Sequence, residues 1–406
     1  MDRHHASKNK EVHIAANRGP RIELRAAAIA EVRRGHPWIW RSSIAPGSVA
    51  CFEGLKAGVS VELTGPDDVV VGGAIADPQS PIAARVWTVN GMPIDETLFR
   101  QRVDRAIALR AELASTDTTA YRLVHGEGDR APGIVIDRYG EVAVLRLDGD
   151  ASRARRDEIA RAVTPLLEGI GITTLLARDR QEEALVLFGD LPRASVLVKE
   201  HGVPFVADVI RGQKTGAFLD QRENRRRVGA LAAGKSVLNL FSYAGGFSLH
   251  AALGGATKVT SVDSASAAHA TAQASFRAAN VDPKLHDFVT ADAFAFLAEA
   301  KKKGRTWDIV VSDPPSFAHN EKSMVRALAG YRNLHRACAA VLAPGGVFCA
   351  ASCSSHVDAK TFVSTLDDAA LERSDLRLIA LHGPPEDHPT IAAFPEGQYL
   401  KFAVLT

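Results

Sequence analysis

Apolar and polar positions alternate in three different ways along the chain, and each way predicts a different layer of structure. From Arg21 to about Thr88, short β-like runs are separated by turn signals. Val59-Ser60-Val61-Glu62-Leu63 leads into Gly65-Pro66-Asp67-Asp68 and then Val69-Val70-Val71-Gly72-Gly73-Ala74-Ile75. Such runs, broken by Gly, Pro and Asp, predict a small, mainly β domain. Over residues 95–114 the period lengthens. Leu98, Val103, Ile107 and Leu113 share one side while Arg and Glu fill the rest, as in an amphipathic helix. From Tyr121 to Leu197 the signals mix: strands are expected at Gly133–Asp137, Val142–Arg146 and Leu185–Phe188, and a helix from Asp150 to Leu167. Val196 to Val206 reads as a further hairpin.

From about Gly234 the pattern changes again. Strands at Ser236–Leu240, Lys258–Val262, Asp287–Thr290, Asp308–Val311 and Val347–Ala351 alternate with helices, one starting at Gly246 and others ending near Asn280, Lys303 and Leu342. This alternation implies a parallel sheet covered by helices, so the fold class is α/β. The expected domains are a disordered polar tail over 1–20, a β domain over 21–90, a helical linker with a central α+β domain over 91–200, and the α/β domain over 201–406.

Composition adds limits rather than direction. At 406 residues, 46% apolar and 24% charged, this is an ordinary globular chain long enough for two or three cores. A net charge of +2 permits an RNA partner without arguing for one. No run of roughly 18 apolar residues occurs, so no membrane span is expected. The N-terminus lacks the apolar region of a signal peptide. Cys51, Cys338, Cys349 and Cys353 form no C-x-x-C pair, which suits neither a zinc site nor a disulfide framework. A reduced, cytoplasmic protein without a metal is expected. His4, His5 and His13 read as parts of a solvated tail rather than as metal ligands.

Candidate chemistry gathers at the ends of the later strands. Val237 to Ser248 reads as strand, Gly245-Gly246 turn and helix start. The glycines let the backbone approach a ligand, and the helix N-terminus favours an anionic group such as a carboxylate. Asp263 ends the next strand, where an acid accepts hydrogen bonds from ribose hydroxyls. Asp292 follows the third strand and is well placed for an adenine amino group. Taken alone, turn and acid also fit a dinucleotide enzyme, but G-x-G-x-x-G and a Walker motif are missing. Two acids followed by Asp313-Pro314-Pro315 favour S-adenosylmethionine. One apolar run ends at Asp313 and another at Cys353, and a parallel sheet delivers both ends to one edge. An acid and a thiol there suggest covalent attack on a pyrimidine ring, with a methyl group arriving from the cofactor. Cys349, four residues earlier, falls on the same face but deeper, and is read as core, as is Cys338.

Several strings resemble the bacterial 23S ribosomal RNA cytosine-C5 methyltransferases, class I S-adenosylmethionine-dependent enzymes with an N-terminal PUA domain. Gly35-His36-Pro37-Trp38-Ile39-Trp40 resembles the PUA entry. Tyr121 to Asp129 and Pro132 to Tyr139 resemble the central domain, and Asp387-His388-Pro389-Thr390 through Phe394 to Lys401 the C-terminal ending. The most family-specific string is Gln213-Lys214-Thr215-Gly216-Ala217-Phe218-Leu219-Asp220-Gln221-Arg222-Glu223-Asn224-Arg225. The resemblance implies a cofactor site made by Lys214, Gln221, Arg222, Phe241, Tyr243, Gly245, Asp263, Asp292 and Asp313. It also implies Pro314, Pro315 and Ser316 beside the substrate base, and Cys353 as nucleophile assisted by Asp313. Many wider relatives carry a second Cys where Ser316 stands; the PUA-containing ones lack it. The implied product is 5-methylcytosine in 23S rRNA, and relatives suggest a homodimer.

Two other readings stay open. Asp-Pro-Pro also serves methylation of guanine N7 or an exocyclic amine, which needs no Cys353. An RNA-binding ribosome-assembly factor without turnover is the third. Arg222-Arg225-Arg226-Arg227 and Lys301-Lys302-Lys303 are candidates for phosphate contacts or solvated helix faces. His36, Trp38 and Trp40 offer stacking surfaces for bases, or pack into the β domain.

Overall fold

A computed structural model of the chain describes residues 19–89, 92–114, 116–179, 183–317 and 324–406. The expected tail lies outside the described residues as far as residue 18, together with His4, His5 and His13. Two compact units result: the described residues up to Leu98 with Gly149–Arg155, and Phe99–Asp148 with Arg156–Thr406.

In the first unit, five strands lie in the order Arg21–Glu23, Ser60–Thr64, Val70–Ala76, Ile82–Thr88, Trp38–Trp40. Only the first pair is parallel. Ile22, Ile39, Val61, Leu63 and Ala74 alternate into its core. Two helices, Ala26–Arg34 and Pro46–Glu53, were not expected. Ala28, Ile29 and Val32 of the first are buried at helical spacing, a pattern hidden in an alanine-rich run. The helix Asp150–Ala154 belongs to this unit: Asp77 accepts the Ala151 N–H at 3.2 Å, and the Arg155 guanidinium donates to the Ile94 carbonyl at 2.9 Å. The helix expected over 150–167 therefore breaks at Arg155 and resumes as Arg156–Gly169 in the other unit. His36 is buried and Trp38 and Trp40 meet edge to face at 5.6 Å, with Trp40 exposed.

The second unit contains a five-stranded sheet, Leu185–Phe188, Thr174–Ala177, Val142–Leu147, Ile134–Tyr139, Ala120–His125 in spatial order. The hairpin Ser195–Glu200 with Val203–Asp208 follows. The helix expected over 95–114 occurs as two pieces, Glu96–Ala108 and Ala111–Ala114.

The C-terminal sheet has seven strands: β1 Ser236–Leu240, β2 Lys258–Asp263, β3 Asp287–Thr290, β4 Trp307–Ser312, β5 Leu342–Ser352, β6 Leu378–His382 and β7 Lys401–Leu405. Their order is β3-β2-β1-β4-β5-β7-β6. β1 to β5 run parallel; β7 is antiparallel to both neighbours. Leu238, Leu240, Val310, Phe348 and Ala350 point to one packed face, and Val237, Ile309, Val311 and Cys349 to the other. Continuous apolar runs are what a sheet covered on both sides requires. The strand order reverses between β1 and β4, so a crevice opens at their carboxyl ends. Ser312 pairs with Ala350, which sets Asp313 and Cys353 just beyond adjacent strand ends. Among the described residues, no helix is long and apolar enough to cross a membrane.

Candidate active site

The chain leaves β1 through an unusual turn. Phe241, Tyr243 and Gly245 all have positive φ (56°, 45° and 74°), a backbone region that side chains usually avoid. The Tyr243 N–H donates to Asp263 at 2.8 Å, and the other carboxylate oxygen of Asp263 accepts the Ala265 N–H at 2.9 Å. The acid at the end of β2 thereby holds the β1 turn. A Cβ on Gly245 would lie 2.8 Å from the Ala272 Cβ, and one on Gly246 only 2.6 Å from the Arg225 Cδ. The helix Gly246–Leu253 starts at once.

Beside this turn is a cavity of about 390 Å³. Lys214, Gln221, Phe241, Tyr243, Asp263, Asp313, Pro314, Pro315, Ser316 and Cys353 line it. Gly245 lies in the turn between the lining residues Ala244 and Gly246. Two of the expected cofactor residues are not on the wall. Arg222 makes a bidentate pair with Asp387 at 2.9 and 3.1 Å, both buried. Asp292 is exposed and caps the helix Ala293–Lys302 by accepting the Ala295 N–H at 2.9 Å. A second cavity of about 260 Å³, walled by Arg122, His125, Arg146, Pro389, Thr390 and Tyr399, shares Lys214 and Cys353 with the first. The thiol and this ammonium therefore stand where the two spaces meet.

The electrostatics of this junction are set by burial and a few charges. Burial, reinforced by the charge of Asp220, pushes the Asp313 carboxyl up to about 7. Burial and then Asp313 push the Cys353 thiol up to about 11, while Lys214 and Lys401 pull it down. Burial opposes ionisation of Asp220, but Lys214 and His388 outweigh it and hold that carboxyl well below its usual range. Lys214 Nζ donates to Asp220 at 2.7 Å and lies 4.5 Å from the Phe218 ring centre. Burial lowers Lys401 to about 8; its ammonium donates to the carbonyls of Ser354 and Tyr399 at 2.5 and 2.7 Å. Cys349 and Cys338 are fully buried and pushed up to about 12, as core thiols are.

Sequence reasoning passed over Glu200, Asp220 and Lys401 as site residues, and read Arg225 only as a candidate phosphate contact. Glu200 accepts from Arg225 at 2.5 and 2.7 Å and lies 2.9 Å from His250; all three line the first cavity. Asp220 falls within the 213–225 string, and position there was its only signal; Arg225 falls there too, but as a partner of Glu200 rather than a phosphate contact. The basic runs are not free phosphate binders throughout: Arg222 and Arg225 are spent on Asp387 and Glu200, and Lys301 and Lys303 on Glu372 and Glu299.

The cavity suits a polar nucleoside ligand. Its volume lies within the roughly 300–1,000 Å³ common for small-molecule sites. Ser242 and Asp220 line the cavity, and the Ser242 Oγ and Asp220 Oδ1 atoms are buried with no partner among the described residues. Asp263 keeps acceptor capacity beside a strained, glycine-cleared turn. Among the described residues, no group of three His, Cys, Asp or Glu side chains is placed to hold a metal.

Residues 169–398 match the S-adenosylmethionine-dependent methyltransferase family, and residues 22–89 match a PUA-like domain. The chain belongs to this methyltransferase family, and its cofactor is S-adenosylmethionine. It is 38% identical to a protein of Deinococcus radiodurans named ribosomal RNA large subunit methyltransferase, over 96% of this chain and 98% of that one. It is 35% identical to ribosomal RNA large subunit methyltransferase I of Shewanella frigidimarina, over 94% and 98%. A solved methyltransferase structure in complex with S-adenosylhomocysteine superposes with a TM-score of 0.86 at 27% identity, over 95% of this chain and 99% of that one. A methyltransferase from Streptococcus mutans gives 0.85 at 26%, with the same coverage.

Proposed function

We propose that this protein methylates C5 of a cytosine in large-subunit (23S) ribosomal RNA, in the cytoplasm, through a covalent adduct between Cys353 and C6. The observation that carries the reading is the meeting of Cys353 and Asp313 on the cavity that the Tyr243–Asp263 turn also lines. The printed names of the relatives support an rRNA substrate. The PUA-like domain, expected over 21–90, supports an RNA partner.

C5 of cytosine is a poor nucleophile. Adding a thiolate to C6 makes C5 enamine-like and splits one hard step into easier ones. S-adenosylmethionine supplies the electrophilic methyl. Cys353 is the nucleophile, and Lys214 and Lys401 favour its thiolate form. Asp313, neutral up to about pH 7, donates to N3 as negative charge develops there. Pro314, Pro315 and Ser316 wall the base. Lys214, Gln221, Phe241, Tyr243, Gly245 and Asp263 hold the cofactor. Arg222 acts at one remove by fixing Asp387, and Asp292 by capping the next helix. Loss of the C5 proton to water, with N3 returning its proton to Asp313, then re-forms the C5–C6 double bond and expels the Cys353 thiolate.

The test uses undermodified 23S RNA, methyl-labelled S-adenosylmethionine, wild type and Cys353→Ala, with nucleoside mass spectrometry. 5-Methylcytidine from wild type alone is expected, with cofactor binding intact in the variant. A methylated guanine or adenine, or equal activity from Cys353→Ala, would transfer the assignment to base-nitrogen methylation.

A further inference from the structure

The proposed reaction leaves the buried Asp220 carboxylate of the cavity without a task. Asp220 is only 3% exposed. One of its oxygens, Oδ2, accepts from Lys214 Nζ at 2.7 Å and from the Tyr399 hydroxyl at 2.9 Å. The other, Oδ1, is buried with no partner among the described residues. A buried acceptor without a donor is costly, so its donor is expected from a ligand. Asp220 lines the same cavity as Asp313 and Cys353, and its charge acts on both.

Below about pH 7 the two carboxyls hold opposite protonation states. Lys214 keeps Asp220 ionised despite burial, whereas burial and Asp220 itself keep Asp313 neutral up to about 7. The pair therefore presents one acceptor and one donor. The cytosine edge presents the complement, an N4 amino donor beside an N3 acceptor. Uracil presents the reverse, an O4 acceptor beside an N3–H donor.

We infer that Asp220 is the residue that separates cytosine from uracil, its Oδ1 accepting from the N4 amino group while Asp313 donates to N3. This rests on the cytosine-C5 reading above. Uracil would set O4 against Oδ1 and N3–H against the Asp313 hydroxyl, leaving buried groups of both partners unpaired. Sites built on such hydrogen bonds reject the wrong partner by about 10⁴-fold or more. Asp220→Asn keeps an oxygen for Tyr399 and can turn an amide N–H toward the base, which reverses the preference at that point.

The experiment first maps the cytidine that wild type methylates in a 23S rRNA transcript, then changes that position to uridine. Single-turnover rates are measured for wild type and Asp220→Asn, with S-adenosylmethionine affinity measured alongside. The expected result is a cytidine-to-uridine ratio at least 30-fold lower in Asp220→Asn than in wild type, with cofactor affinity little changed. An unchanged ratio overturns the inference. So does a variant whose defect is confined to cofactor affinity, which would make Oδ1 a cofactor contact. If Asp220→Asn fails to fold, wild type decides alone, on a ligated RNA carrying pyrimidin-2-one, which lacks the amino group, at the target. Adduct formation at least 30-fold slower than with cytidine supports the role, and equal or faster formation overturns it. Wild type that methylates no cytidine at all removes the parent reading instead, and that outcome is distinct from every ratio.

Discussion

Asp313 and Cys353 titrate in the opposite order from the one their proposed tasks require, and the rate–pH profile exposes this. Addition to C6 needs Cys353 as a thiolate and Asp313 as an acid. Burial holds the thiol up to about 11 and the carboxyl up to about 7. With the acid weaker at holding its proton by about four pKa units, the competent state is no rarer than roughly 10⁻⁴ of the enzyme at neutral pH, an upper limit of about 5 kcal/mol on the cost that substrate binding must offset, because the Asp313 charge that raises the thiol is absent from that state. Below pH 7 the rate should rise tenfold per unit, because thiolate accumulates while Asp313 stays protonated. Above it, each gain in thiolate is cancelled by a loss of acid, and the rate should level. The assay is single-turnover methyl transfer to 23S RNA from about pH 5.5 to 9.5 at constant ionic strength. Asp313→Asn should lower the rate by about 10²–10⁴ at neutral pH and abolish the plateau, so that its residual rate keeps climbing. A wild-type profile that rises a hundredfold per unit below pH 7 and tenfold above would mean that ionised Asp313 is the active form, and the acid role would be wrong.

Three further outcomes follow from particular contacts. Asp387 pairs with Arg222, lies 3.1 Å from His388 and accepts the Arg122 N–H, all buried; Asp387→Ala should cost about 3–5 kcal/mol in urea unfolding, and a loss below about 1 kcal/mol would contradict this. Asp263→Ala removes the acceptor that ties the Tyr243 turn and faces the cavity; calorimetry should find S-adenosylmethionine bound about 10–100-fold more weakly, and an unchanged Kd would place the ribose elsewhere. Burial lowers His335 from 6.5 to about 4, so the folded state prefers the neutral ring. Its contribution is complete above pH 6.5 and is lost as pH falls toward 4. Between pH 7 and 5 His335→Gln should therefore lose about 2 kcal/mol less unfolding free energy than wild type, and equal losses would refute the assignment.

What could be read from the sequence divides along physical lines. β1 and β3 both begin and end where expected, β1 because a strand covered on both faces leaves a continuous local signature, and the half-buried edge strand β3 because it falls in step with the strand–helix alternation. β6 and β7 carry apolar runs too, Leu378–Leu381 and Phe402–Leu405, but they follow the end of the strand–helix alternation and so were not expected as strands. Leu378, Ile379 and Leu381 of β6 are exposed, whereas Phe402, Ala403 and Leu405 of β7 are buried and the strand pairs antiparallel with β5 and β6. The same contrast holds within the site. Asp263, Asp313 and Cys353 were legible because each closes an apolar run and topology carries strand ends to one edge. Arg222 and Asp387 are 165 residues apart, so nothing local announced that this guanidinium is held by a C-terminal loop rather than turned to a ligand. Asp220 presents the hardest case, because its role depends on an inequality between its two oxygens. Lys214 and Tyr399, 6 and 179 residues away, both bind Oδ2, and that leaves the buried Oδ1 without a partner among the described residues. A linear pattern records that an acid is present, but not which of its lone pairs the fold has already used. Specificity of the kind inferred for Asp220 is therefore a property of tertiary structure, even when the catalytic pair beside it is written in strand ends.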